Sequence, residues 1–129
     1  MLIDNKLIDN IQIKAEHSDR LRMNFNLHEN LEAKAQRLLN VLLPGTQLPI
    51  HRHIHTDETY IILRGKMKVI FYDSAKTELN QFVLDPLNGN YGIHIPKGVW
   101  HSIEVKEPTT IFEVKDGPYT PLTKENILE

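Results

Sequence analysis

The sequence predicts an all-β domain, a barrel or sandwich behind a short helical lead-in, and three observations carry that expectation. Residues 20–28 alternate polar and apolar side chains with period two, the mark of a strand with two unlike faces. From residue 36 to residue 115 short apolar runs follow one another, each stopped by Pro, Gly or Asn at roughly the eight-to-twelve-residue spacing of an all-β domain. A chain of 129 residues has room for one hydrophobic core and hardly for two.

Taken in order, residues 1–19 set Leu2, Ile3, Leu7, Ile11 and Ile13 in a partial helical stripe that ends at His17-Ser18-Asp19-Arg20. The next stretch places Leu21, Met23, Phe25 and Leu27 on one strand face and Arg20, Arg22, Asn24, Asn26 and His28 on the other. Residues 29–35 form a helical turn or loop, and Gln36 to Leu43 is an apolar strand stopped by Pro44-Gly45. Glu58–Arg64 and Met67–Tyr72, broken at Gly65-Lys66, are expected to form a hairpin. Leu79–Leu84, Gly92–Ile95, His101–Val105 and Thr110–Lys115 complete the strands, and a turn-rich tail follows. The expected organisation is an N-terminal segment of helix plus strand over 1–35, packed on a barrel core over 36–115, with a tail over 116–129.

Composition narrows the function classes. Lys plus Arg number 15 against 17 Asp plus Glu, so there is no basic excess to neutralise phosphates and nucleic acid is not an expected partner. With no cysteine, a disulfide scaffold, a thiolate zinc site, an iron–sulfur cluster and a cysteine nucleophile all fall away. Asp4, Asn5, Asp9 and Asn10 interrupt the apolar stretch a signal peptide needs, and no run approaches the ~18 apolar residues of a spanning helix. The expectation is a cytoplasmic protein with no membrane partner. Seven histidines stand out, three of them within five positions.

His51 and His53, two residues apart, project from one face of a strand, and a hairpin would return Glu58 opposite them. Two imidazoles and a carboxylate make an N/O metal site. Without thiolates the choice tilts to Fe(II), Mn, Ni or Zn in an open, reactive geometry rather than a closed structural zinc. His101, after the Pro96–Gly98 turn, would complete a His3Glu set with positions left for water or substrate. His55 shares the parity of His51 and His53 and is an alternative ligand, a proton shuttle or an exposed turn residue. Tyr60 has the parity of Glu58, and either positions or protonates a ligand or packs in the barrel. The row Arg22, Asn24, Asn26, His28 is either a wet outer face or an inward lining suited to a sugar hydroxyl, carboxylate or phosphate. Glu113 and Lys115 form a pair, either buried near the site or exposed.

The pattern Gly45, five residues, His51-x-His53, four residues, Glu58, six residues, Gly65 resembles the first signature of the cupin superfamily, and Pro96-x-Gly98-x-x-His101 the core of the second. Asn90 and Val105 stand where the second signature usually has Gly and Asn; neither is a ligand position. The resemblance implies a single RmlC-like jelly-roll β-barrel with one divalent ion per chain (Zn, Fe, Mn or Ni) on His51, His53, Glu58 and His101. From Leu21 to Pro121 the chain is similar to the WbuC family of cupin metalloproteins, whose members are found with bacterial O-antigen and surface-polysaccharide genes. That implies a small sugar-related substrate held by Arg22, Asn24, Asn26 and His28. Isomerase- or epimerase-type Lewis-acid chemistry would follow, with His55, His28 or Tyr60 moving a proton, in a homodimer joined through edge strands. An Fe(II)-dependent dioxygenase and a non-catalytic module binding a sugar or nucleotide sugar stay open beside it, so whether the chain is an enzyme is undecided at this point.

Overall fold

The structure, a computed structural model, describes residues 1–129. It has one α-helix, α1 (Asn5–Glu16), and eight strands: β1 (Arg22–Asn26), β2 (Ala35–Leu42), β3 (Ile50–His51), β4 (Glu58–Tyr72), β5 (Glu78–Leu84), β6 (Gly92–Ile95), β7 (Trp100–Asp116) and β8 (Ile127–Leu128).

Two long strands organise everything else. The first half of β4 pairs with β6 on one edge and with the second half of β7 on the other, and β2 and β1 extend that sheet beyond β7. The second half of β4 pairs with β5 and with the first half of β7, which carries β3 and then β8 on its far edge. The result is two five-stranded layers, β1-β2-β7-β4-β6 and β8-β3-β7-β4-β5, that share two bent strands. It is jelly-roll-like, and no strand pairing closes it into a full barrel.

The hairpin expected across Gly65 does not form. Glu58–Tyr72 is one strand that bends where a turn was expected, with its register against β7 slipping between Ile62 and Met67. Gly65 takes φ +96, and a Cβ there would collide with Pro108 O and the Thr109 backbone, so the residue marks a close crossing of two strands rather than a reversal. His101–Val105 and Thr110–Lys115 likewise merge into β7, which crosses β4 at the matching bend. The Thr109 hydroxyl fastens the crossing, accepting from Lys66 N at 3.1 Å. The hairpin that does form joins β4 to β5 through Asp73–Thr77, where Asp73 Oδ1 accepts from Ala75 and Thr77 N–H groups.

Leu42, Tyr60, Ile62, Met67, Val69, Leu84, Ile95, Val105 and Ile111 form a buried cluster drawn from both layers. A second cluster lies on the outer face of β1 and β2, where Leu39, Val41 and Leu43 meet Ile11 and Ala15 of the helix. Asp4 caps α1, accepting from Leu7 N at 3.0 Å. The buried helix face is Ile8, Ile11 and Ala15, a true i, i+3, i+7 stripe; Leu2, Ile3 and Ile13 of the expected stripe are exposed.

Candidate functional site

Since Met23 and Phe25 pack under the helix, the alternation of β1 turns its polar residues the other way. Arg22 and Asn24 line a cavity of ≈ 170 Å³ whose wall also carries His51, His53, Glu58 and Tyr60. The expected polar row therefore divides. Asn26 is exposed outside this cavity, and His28 is buried at the end of the row with its Nδ1 engaged by the Arg37 main chain at 3.0 and 3.1 Å.

His51 and His53 of the cavity wall meet the buried His101, and one ring nitrogen from each of the three lies within 4.8 Å of the others. The route that brings them together is not the expected one. His51 in β3 pairs directly with His101 in β7, so these two come from the same layer. Glu58 starts β4 in the other layer and reaches the histidines across the interior, not by hairpin pairing. Its Oε1 is 2.6 Å from His53 Nε2, and its Oε2 is 3.8 Å from His101 Nε2.

The two imidazoles of the β3–β7 pair are held alike. His51 Nδ1 donates to Pro49 O at 2.9 Å and His101 Nδ1 to Val99 O at 2.9 Å. A carbonyl only accepts, so the proton of each neutral ring sits on Nδ1 and the Nε2 lone pair is left bare, the tautomer a metal ligand needs. His101 Nε2 is buried with no hydrogen-bond partner at all. Such an orphan costs ~1–3 kcal/mol, and a cation at the convergence point would satisfy it. The residues present thus fit a divalent ion of the N/O type, with His51, His53, His101 and Glu58 as the groups that could hold it.

Electrostatics sharpens the fit. Burial pushes His51 down to about 4, with His101 adding repulsion, and burial lowers His101 as well, so both are neutral and ready to ligate at pH 7. Burial alone would raise Glu58, but the hydrogen bond and charge of His53, with His101 and Lys115, hold it well below the usual carboxylate range. Tyr60 is pushed far up by burial and by Glu58 and Glu113; its hydroxyl stays protonated and donates to Glu58 Oε2 at 2.8 Å. It orients the carboxylate. Glu113, buried in the cavity wall, is raised by burial and by Glu58 to about 7, with Lys115 Nζ 4.0 Å away.

His55 is outside the cluster. It is exposed and lines a second cavity of ≈ 250 Å³ under residues 116–122, which shares His53, Lys115, Tyr119, Thr120 and Leu122 with the first. The lining residues that the expected site did not include are Leu48, the tail residues Tyr119, Thr120 and Leu122, and two from the β1–β2 side, Asn40 and Arg20. Asn40, whose Oδ1 is buried without a partner, is the one polar residue in the run Leu38–Leu43, and that interruption was its signal. Arg20 stands beside Arg22 in the lining, at the edge of the alternating stretch.

The family model that matches is described as "Domain of unknown function (DUF6016)" and covers residues 3–84. No curated protein matches the sequence. Among solved structures, the capsular polysaccharide assembling protein CapF from Staphylococcus aureus is similar over 81% of this chain and 28% of its own, at 19% identity and TM-score 0.66. The chain thus spans under a third of CapF. A cupin-2 domain containing protein from Shewanella frigidimarina matches over 73% and 79% of the two chains, at 23% identity and TM-score 0.56. A cupin superfamily protein from Desulfitobacterium hafniense matches over 74% and 76%, at 18% identity and TM-score 0.59. At these identities the likeness speaks to the fold, and the fold is that of the cupins.

Proposed function

The chain belongs to the DUF6016 family, a domain of unknown function, and we propose that it is a metal-binding cupin acting on a small, polar, sugar-related ligand in bacterial surface-polysaccharide chemistry. The observation that carries the metal is the pair of bare Nε2 lone pairs on His51 and His101, one of them orphaned, facing His53 and Glu58. The polar ligand is supported by the cavity wall, where Arg22, Asn24 and Asn40 offer donors and an unpaired acceptor to hydroxyl groups. The sugar and the pathway are supported by the sequence resemblance to the WbuC family and by the fold shared with CapF, a capsular polysaccharide assembling protein.

When bound, the ion supplies Lewis-acid polarisation of a carbonyl or a vicinal hydroxyl pair, which suits isomerisation or epimerisation. The chain's own residues do the rest. Tyr60 fixes the Glu58 carboxylate through its 2.8 Å hydrogen bond and is a positioning residue, its proton being committed there. Arg22 and Asn24 orient the ligand from the β1 side. Of the three expected proton carriers, His55 is retained: it is exposed, takes part in none of the chain's hydrogen bonds and borders the cavity adjoining His53. His28 borders neither cavity. The reading includes a cytoplasmic homodimer. No helix is long and apolar enough to cross a membrane, and edge strand β5 leaves Leu79, Phe82 and Val83 exposed for a second copy.

Elemental analysis of untagged protein, beside a His51→Ala/His101→Ala variant, tests the reading. About one equivalent of zinc, manganese or nickel in the wild type, lost in the variant, is the expected result and leads to sugar-isomer assays. Iron instead would move the chemistry to oxygen-dependent turnover. Metal-free wild type, after growth with each metal supplied, would overturn it.

A further inference from the structure

Arg20 and Arg22 both line the histidine cavity, and neither takes part in any of the chain's ion pairs. Several cations on the neighbouring strands are committed. Arg64 holds Asp9 at 2.7 Å, Lys68 faces Glu104 at 3.7 Å, and Lys115 faces Glu113 at 4.0 Å. Arg52, bordering the second cavity, lies over the Trp100 ring at 4.4 Å and donates from Nε to Asn126 Oδ1 at 3.1 Å. The two arginines of β1 and its approach are instead left with each other. Burial, and then the charge of Arg20, pull the Arg22 guanidinium below its ordinary value, while Glu113 opposes the pull only in part and already has Lys115 beside it. Two like charges gathered at one cavity edge, neither within ion-pair distance of a carboxylate, are an arrangement that an anion relieves.

The backbone between them is built for this placement. Leu21 takes φ +57, a left-handed conformation that a bulky residue rarely adopts. Three hydrogen bonds hold it there: its N–H donates to Ser18 O at 3.0 Å, and its carbonyl accepts from Leu43 N at 2.9 Å and Thr46 Oγ1 at 3.0 Å. The Leu21 side chain packs into the helix-side cluster, away from the cavity. A guanidinium has five donors, and Arg22 commits one, to Gln47 O at 3.4 Å. The remaining fork and that of Arg20 are free to bind planar or tetrahedral oxygens.

We propose that Arg20 and Arg22 form an oxyanion subsite, so that the ligand of this cavity carries a phosphate or carboxylate group besides the oxygens directed at the histidine end. The proposal rests on the reading of the cavity as a small-molecule site and adds the chemical class of what enters it.

The test is calorimetric titration of the full chain with glucose 1-phosphate, glucuronate, inorganic phosphate and glucose, at low and at 0.5 M salt, with metal content measured on every sample. Wild type is compared with Arg20→Gln/Arg22→Gln and with Arg37→Gln, an exposed arginine outside both cavities. Expected is binding of at least one anionic probe that exceeds glucose, weakens with salt and falls about 10- to 100-fold in the double variant, with Arg37→Gln and metal content unchanged. Whether phosphate or carboxylate probes bind identifies the source of the oxyanion. Equal binding of anionic probes by wild type and double variant, equal loss in Arg37→Gln, or no anionic probe exceeding glucose would overturn the proposal. Arginine-dependent anion binding by a protein that holds no metal would keep this subsite and remove the metal reading, so the two fail separately.

Discussion

A buried imidazole keeps a lone pair free only when its other nitrogen is committed elsewhere, and His51 and His101 meet that condition through Pro49 O and Val99 O. The commitment has a cost that pH can read. In metal-free protein His51 resists protonation down to about 4, whereas in the unfolded chain it protonates near 6.5. Between those values the unfolded state binds the extra proton, so this group's contribution is fully present above pH 6.5 and is lost as pH falls towards 4. Glu113, raised to about 7, acts oppositely: its contribution is present below the carboxylate's unfolded value and is lost as pH rises through 7. A direct pH–stability curve would mix the two. The difference between wild type and His51→Leu isolates His51. In chelator, we expect the variant to gain on wild type by up to about 3 kcal/mol as pH drops from 7 to 4, measured by urea unfolding. A flat difference would mean that His51 is not held neutral. The residues of this site were partly legible because strand parity and motif spacing are local: they single out His51, His53 and Glu58, although Glu58 meets the histidines across the interior and not through the expected hairpin. Arg20 and Asn40 had local signals, the alternation and the break in an apolar run. That their face lines the cavity is decided by the helix covering the far face of β1 and β2, which no local pattern states.

At the scale of elements, glycine was the misleading letter. A Gly-Lys pair between two apolar runs reads as a turn, and the eight-to-twelve-residue rhythm encourages that reading. What distinguishes a bend from a reversal is the strand passing over it, here the Pro108–Thr109 segment of β7, some forty residues away in sequence. The runs themselves, β2, β5, β6 and the halves of β4 and β7, fell close to where the apolar pattern put them. Only their joining was invisible. The crossing predicts two effects. Gly65→Ala combines a left-handed φ with a backbone collision and should lose about 2–4 kcal/mol of stability. Thr109→Val removes the acceptor of Lys66 N and the hydroxyl that donates near Glu107 O at 2.8 Å, and should lose about 1–3 kcal/mol. Thermal unfolding of both variants without metal checks them; a neutral Gly65→Ala would show that the β4–β7 crossing is not as close as the Pro108 and Thr109 contacts imply.

At the scale of the whole molecule the candidate metal site joins what the apolar core already joins. His51 and His101 belong to the β8-β3-β7-β4-β5 layer, Glu58 and Tyr60 to the other, and the buried cluster from Leu42 to Ile111 fills the space between them. An ion held by both layers acts as a tie across the interior. Because the core holds the layers together by itself, the chain should stay folded without metal and melt earlier, unlike small zinc domains that unfold outright. Ligand at a hundred times its dissociation constant adds about 2.7 kcal/mol to the folded state. In a domain of this size that corresponds to a shift on the order of 10 °C. A chelator should therefore lower the melting temperature of wild type by that amount and leave His51→Ala/His101→Ala unmoved. Glu58→Gln keeps three imidazoles on the ion but weakens the link to the second layer, so its chelator-dependent shift should fall between the two. If Glu58→Gln shifted as fully as wild type, the ion would be held by the histidines alone, and the tie between the layers would rest on the apolar cluster.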